Sequence, residues 1–304
     1  KMIYKNCFAI RTHLFGEREK NLYQFAEKFF GKENTYFILN IDGDKLNIPS
    51  SYNAIYFNKS KILSEKELFW PHDCAWRCGD YCYYVLDQEL SGYDFFWLVE
   101  PDIQICNPNP SEFFNQLISL NYDFLSVGYG KAKTDSFFYR TARLLSDVPM
   151  NCIFPFTRLK ADKIKTLYEV RKKFSSDFIN KRKPEKYFPN DESFIATMVN
   201  KLDYSCGSLE KITSFNFKLF TANKDEAFLE EDVKAIKGNF ILHPILEQSV
   251  FIDKKVKRLE SMLMLKQNVI AWMEDILIKI SDKKTKRLLK DQFKDVIIRK
   301  IDET

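Results

Sequence analysis

Glu100 and Asp102 stand two residues apart, with only Pro101 between them, at the end of the apolar run D-F-F-W-L-V at residues 94–99. Side chains two apart on an extended segment point the same way, so the two carboxylates can aim at one point. Proline fixes the backbone between them and cannot donate to a strand ladder, so the strand ends there. Two carboxylates aimed together repel unless a proton or a cation lies between them. Hard oxygen donors of this kind suit Mg²⁺ or Mn²⁺, ions that keep open positions for substrate phosphates.

Other groups have both a bland and a chemical reading. Asp191 and Glu192 open a helical stretch after Pro189-Asn190, where acids complement the helix dipole. His243 ends a short apolar run before Pro244, a placement that suits either packing or a ligand role; His13 and His72 offer less. Cys74, Cys78 and Cys82 recur every four residues and would share a helix face. No fourth ligand follows at a zinc-site spacing, so small cysteines packing one side of a helix is the expectation. The KRKPEK segment, residues 181–186, attracts phosphate or is simply solvated.

The elements that must position these groups alternate along the chain. The spacing of apolar residues predicts a strand over 7–12 and a helix over 17–30 that stops at Gly31. A strand over 35–41 is closed by D-G-D, and a weaker strand covers 54–57. A helix over 73–90, a strand over 94–105, a helix over 111–120 capped by Ser111 and a strand over 123–127 follow. Such alternation implies βαβ units and a mainly parallel sheet flanked by helices, with ligands beyond the carboxyl ends of the strands. Arg11-Thr12, Asp42 and Glu100/Asp102 are the polar ends of these runs and would converge on that edge. The second half reads as a strand over 152–156, a helix over 161–174, a basic loop over 177–189, a helix from 191 to 200 and a strand over 240–243. From 253 onward the pattern is helical. The expected organisation is one α/β catalytic domain over 1–250 and a basic amphipathic helical extension over 251–304.

Charge is distributed unevenly. The net charge is +5, and residues 253–304 hold 14 Lys/Arg against 9 Asp/Glu, which is the whole excess. The first 252 residues hold 33 of each sign, which argues against a nucleic-acid-binding body. Seven cysteines, an odd and scattered set, do not form a disulfide framework and point to a reducing cytoplasm. No window reaches the apolar length of a membrane span or a signal core. The KKVKR and KKTKR blocks beside apolar stripes suit peripheral contact with the inner membrane face, packing against the body, or a partner helix.

The ordered set of motifs resembles glycosyltransferases of the GT-A fold. WLVEPDIQI is similar to the E-P-D variant of their D-x-D metal and nucleotide-sugar motif, as found in fungal α-mannosyltransferases. WRCGDYCYYVL, residues 76–86, resembles the helix on which these enzymes place a nucleotide-contacting Gly-Asp pair. PNDESFIAT, residues 189–197, resembles the segment that carries the catalytic base in branching N-acetylglucosaminyltransferases. FILHPI, residues 240–245, looks like the late His-Pro segment that lends a metal ligand. The resemblance spans roughly residues 6–247.

What the resemblance implies is transfer of a sugar from a nucleotide-diphosphate donor, UDP being the first expectation, to a hydroxyl of a bacterial surface glycan such as lipopolysaccharide or capsule. It implies Glu192, or Asp191 in its place, as the base, and Arg11, Thr12, Asp42, Arg77, Asp80 and Glu100 around the nucleotide. Glu100, Asp102 and His243 would hold Mn²⁺ or Mg²⁺. Whether metal is required, and whether configuration inverts, is left open, because the branching enzymes work without metal. The alternatives are a nucleotidyltransferase acting on sugar phosphates and a non-catalytic interaction protein on the same fold. The first would ordinarily carry a Gly-rich phosphate loop near the first strand, where IRTHLFGEREK has a single Gly.

Overall fold

Near-continuous apolar runs, buried on both faces, form the centre of a largely parallel sheet. In the computed structural model, residues 4–41, 46–136, 138–222, 226–234, 236–265, 267 and 269–302 are described. Asp42 lies outside them. The chain divides into two units, residues 1–101 with 109–215, and residues 102–108 with 216–304. The expected boundary at 250 therefore falls inside the second unit, which also takes in the short segment after Pro101.

The first unit begins with β1 (Asn6–Thr12), α1 (Glu17–Phe30), β2 (Thr35–Asn40) and β3 (Ala54–Phe57), then α2 (Lys59–Ser64), α3 (Cys74–Arg77), α4 (Tyr81–Glu89) and β4 (Phe95–Val99). After β5 (Gln104–Cys106), which belongs to the second unit, come α5 (Ser111–Leu117), β6 (Phe124–Lys131), α6 (Tyr139–Ala142) and β7 (Met150–Lys160). α7 (Ala161–Asn180), α8 (Asp191–Lys201), β8 (Cys206–Ser208) and α9 (Leu209–Ile212) complete it. The seven strands are ordered β3-β2-β1-β4-β7-β6-β8. All run one way except β7, which is antiparallel to both β4 and β6.

β7 is far longer than the 152–156 stretch visible in the sequence. Pro155 sits in its middle, where the pairing register with β6 shifts between Ser126 and Val127. A strand tolerates proline at such an irregularity, since no ladder N–H is required there. The Pro155 carbonyl instead accepts the Glu100 N–H at 2.9 Å. Two other expectations are corrected. The helix over 73–90 is two helices, α3 and α4, interrupted at residues 78–80. Ser111 does not cap α5: the N-cap is Pro110, with no side-chain capping bond, and the Ser111 hydroxyl turns back to Asn109 at 2.6 Å.

The second unit contains β9 (Phe228–Leu229), α10 (Glu230–Val233), β10 (Phe240–Leu242), β11 (Ile245–Leu246), α11 (Gln248–Met264), α12 (Val269–Lys279) and α13 (Lys283–Asp302). β10 pairs antiparallel with β5, and β11 pairs parallel with β9. Its core gathers Leu229, Phe251, Leu259, Ile276, Leu289 and Phe293. Among the described residues no helix is long and apolar enough to cross a membrane.

Candidate functional site

β1 and β4 are parallel neighbours in the register Ile10↔Val99, so the residues that follow, Arg11 and Glu100, emerge side by side at the carboxyl edge. Arg11 Nη1 donates to Glu100 Oε1 at 2.8 Å and to Asp191 Oδ2 at 3.4 Å, and Nη2 donates to the Ala75 carbonyl. Glu100 and Asp191 hold the Arg11 guanidinium well above its ordinary pKa against the opposing effect of burial. The cation between two carboxylates is thus Arg11 in this unit. The Thr12 hydroxyl is engaged locally, donating to the Leu14 carbonyl at 2.9 Å.

Gly79 explains the break between α3 and α4. Its N–H donates to Asp191 Oδ2 at 2.9 Å. A Cβ at this position would lie 2.1 Å from Arg11 Nη1 and 2.5 Å from Asp191 Oδ2. Any side chain there displaces the guanidinium from its carboxylates. Gly79→Ala is therefore expected to destabilise the fold by about 1–3 kcal/mol, the usual cost of overpacking. Chemical denaturation checks this; an unperturbed variant would remove the close fit.

Asn190 caps α8, its side chain accepting from the Ser193 N–H at 3.1 Å. That cap fixes the two acids of the first turn. Asp191 Oδ1 accepts the Glu192 N–H at 2.8 Å, and burial pushes the Asp191 carboxyl well above the usual range while Arg11 pulls it back. Glu192 is held by the Phe154 N–H on Oε1 and by the Asn190 amide on Oε2, both at 3.3 Å. Burial lifts its carboxyl to about 7; these two hydrogen bonds oppose the lift and the charge of Glu100 adds to it. A carboxylate near neutrality, with a guanidinium close by, is equipped for proton transfer at physiological pH.

Asp102 is not a twin of Glu100. β4 ends at Val99 and residues 101–102 form a turn, so the two acids do not share an extended segment. Within the second unit, Asp102 Oδ1 lies 3.5 Å from His243 Nε2. The His243 ring stacks on Phe220 with centroids 4.9 Å apart, and Nδ1 lies 2.7 Å from the Thr221 carbonyl. A carbonyl can only accept, so Nδ1 carries a proton and Nε2 is the ring nitrogen that faces Asp102. Asp102 Oδ1 is buried and has no hydrogen-bond donor among the described residues. A ring nitrogen and a carboxylate oxygen facing each other hold either a proton or a cation between them.

Several expected site residues have structural partners instead. Arg77 forms a two-pronged pair with Asp73 at 2.7 and 2.8 Å and donates to the Phe188 carbonyl at 2.9 Å. Asp80 is wholly buried, ion-paired with Arg171 at 3.0 Å, and accepts the Tyr84 hydroxyl at 3.0 Å. Its carboxylate closes a packing layer and faces no open edge. Cys74, Cys78 and Cys82 are buried and free; burial pushes the Cys82 thiol up to about 12 and that of Cys74 higher, which keeps both as neutral packing groups. In the basic loop, Glu185 is turned toward His72 at 2.6 Å.

No protein-family model matches the chain, and neither does any curated protein.

Gly79 and Asn190 are the positioning residues the sequence reading passed over. Asn190 carried a usable signal, as an Asn directly before two acids and an apolar helical run. Gly79 carried a weaker one, a glycine interrupting a helical pattern.

Proposed function

We propose that the chain is a glycosyltransferase with a GT-A-like fold, moving a sugar from a nucleotide-diphosphate donor, UDP first among them, to a hydroxyl of a glycan. The observation that carries this reading is Glu192, a carboxyl lifted to about 7 and anchored by backbone and cap. It belongs to the same cluster as Arg11 and Glu100, at the carboxyl ends of two adjacent parallel strands, where open α/β sheets take their ligands. The ordered motifs of the sequence support the same reading.

In an inverting reaction, the deprotonated Glu192 takes the acceptor hydroxyl proton as that oxygen attacks the anomeric carbon. Arg11 supplies positive charge to the donor diphosphate, and Asp191 and Gly79 hold Arg11 in place. Asp102 and His243 fit a divalent cation: one buried oxygen lacks a donor, and one ring nitrogen is turned toward it with its tautomer set by Thr221. Glu100, two residues before Asp102 in the sequence, is the third donor that the resemblance implies. Mn²⁺ or Mg²⁺ held there supplies neutralisation of the charge on the departing nucleotide diphosphate.

Asp102→Asn and His243→Ala are each expected to weaken Mn²⁺ binding by at least the roughly 10–100-fold that disturbing a ligand-orienting group costs. Titration calorimetry measures it, and unchanged affinity in both variants would remove these ligands. Donor binding tests the function itself. A nucleotide sugar is expected to bind more tightly than its free sugar, and the bound donor to be turned over. Preference for a nucleoside triphosphate, with pyrophosphate release, would instead establish the nucleotidyltransferase reading.

A further inference from the structure

The positive excess of the chain is concentrated on a helix that the proposed chemistry does not use. On α13, Thr285, Leu289, Phe293 and Val296 are buried. The last three lie in the second unit's own core with Phe251 and Leu259 of α11 and Ile276 of α12. Of the three expected uses of the apolar stripe, packing is the one that occupies it, within the unit itself. What faces outward is a different pattern. Lys283, Arg287, Lys290 and Lys294 recur at i, i+4, i+7 and i+11 and are all exposed. That spacing makes one stripe about 17 Å long.

None of these four cations forms an ion pair among the described residues, Asp291 and Asp295 beside them on α13 included. One turn beyond Lys294, the stripe ends on Ile298, which is 46% exposed. The adjoining face carries Leu288, 40% exposed. Aliphatic side chains gain from the boundary between headgroups and acyl chains and gain nothing from a phosphodiester backbone. The rest of the chain, balanced in charge, adds no basic track for a nucleic acid to follow.

We propose that the outward face of α13 docks onto an anionic phospholipid surface, with Lys283, Arg287, Lys290 and Lys294 on the headgroup phosphates and Ile298 at the acyl boundary. The contact is electrostatic first, and each cation near such a surface strengthens binding by about fivefold. The four together account for a several-hundredfold preference over a neutral surface.

The test is co-sedimentation of the 304-residue chain with vesicles of phosphatidylcholine alone and of phosphatidylcholine mixed with phosphatidylglycerol, at low and raised salt. Binding to the anionic vesicles is expected, with loss at raised salt and a drop of at least a hundredfold in a variant carrying Lys283→Gln, Arg287→Gln, Lys290→Gln and Lys294→Gln. The thermal midpoint and donor turnover of that variant should match the parent, because all four side chains are exposed. A Lys283→Gln, Lys290→Gln pair, with about a 25-fold drop, gives the same answer should the fourfold variant fold poorly. Equal binding to neutral vesicles, undiminished binding by the variants, or tighter binding to single-stranded DNA than to anionic vesicles at the same salt would each overturn the proposal.

Discussion

Glu192→Gln is expected to lower glycosyl transfer by a factor of about 10²–10⁴, the usual worth of a positioned general base, while making the protein more stable above neutral pH. The two effects share one cause. Burial raises the folded-state pKa of Glu192 to about 7 from an ordinary 4.5. An acid whose pKa is raised by folding stabilises the native state in its protonated form. That contribution is complete below about pH 4.5 and is lost as pH rises through about 7. The ionised carboxylate then costs up to about 3 kcal/mol. Glutamine has the shape of the protonated acid and no charge to bury, so the variant should gain on the parent between pH 5 and 8. In the parent, kcat/KM should climb with pH and level off above about 7, and that limb should vanish in the variant. Chemical denaturation at several pH values and a pH–rate profile measure the two halves. A variant with full activity, or with no pH-dependent gain, would show that Glu192 is an ordinary helix-capping acid.

Arg171→Met is expected to destabilise the first unit by about 3–5 kcal/mol without a specific effect on donor affinity. Arg171 and Asp80 are both wholly buried; the guanidinium meets the carboxylate at 3.0 and 3.2 Å, donates to the Pro189 carbonyl at 3.1 Å, and lies 4.1 Å from the centre of the Phe194 ring. Removing the cation leaves a buried carboxylate with no counter-charge. Asp80→Asn added to Arg171→Met should recover most of the loss, because the uncompensated charge goes with it. Denaturant midpoints of the two single variants and the double variant give the coupling. A loss under about 1 kcal/mol for Arg171→Met would mean that water reaches the pair. A donor-affinity defect in well-folded Asp80→Asn would return Asp80 to the nucleotide site.

Asp80 and Glu192 mark the limits of what the sequence makes legible. Apolar runs and helical spacing located β1, α1, β2 and β3 closely, whereas the strand expected over 94–105 is β4, a turn at residues 101–102 and β5. The meeting of Arg11 with Glu100 follows from the same alternation, since adjacent parallel strands deliver their polar ends together. The extended segment assumed to carry both Glu100 and Asp102 did not follow, because β4 ends at Val99 and the chain turns at residues 101–102. The packing role of Asp80 depends on Arg171, 91 residues later, and no local pattern announces it. The pKa of Glu192 is raised by burial and drawn back in part by the Phe154 N–H of β7, a strand whose central proline hid its length.

Nucleotide release from a panel of nucleotide-diphosphate sugars, compared between the parent protein and Glu192→Gln with and without Mn²⁺, bears most directly on the central claim. Release of nucleotide from one donor, joined to formation of a glycosylated acceptor and reduced at least a hundredfold in the variant, is the predicted result. No binding or turnover of any donor by the parent, with or without metal, would contradict it.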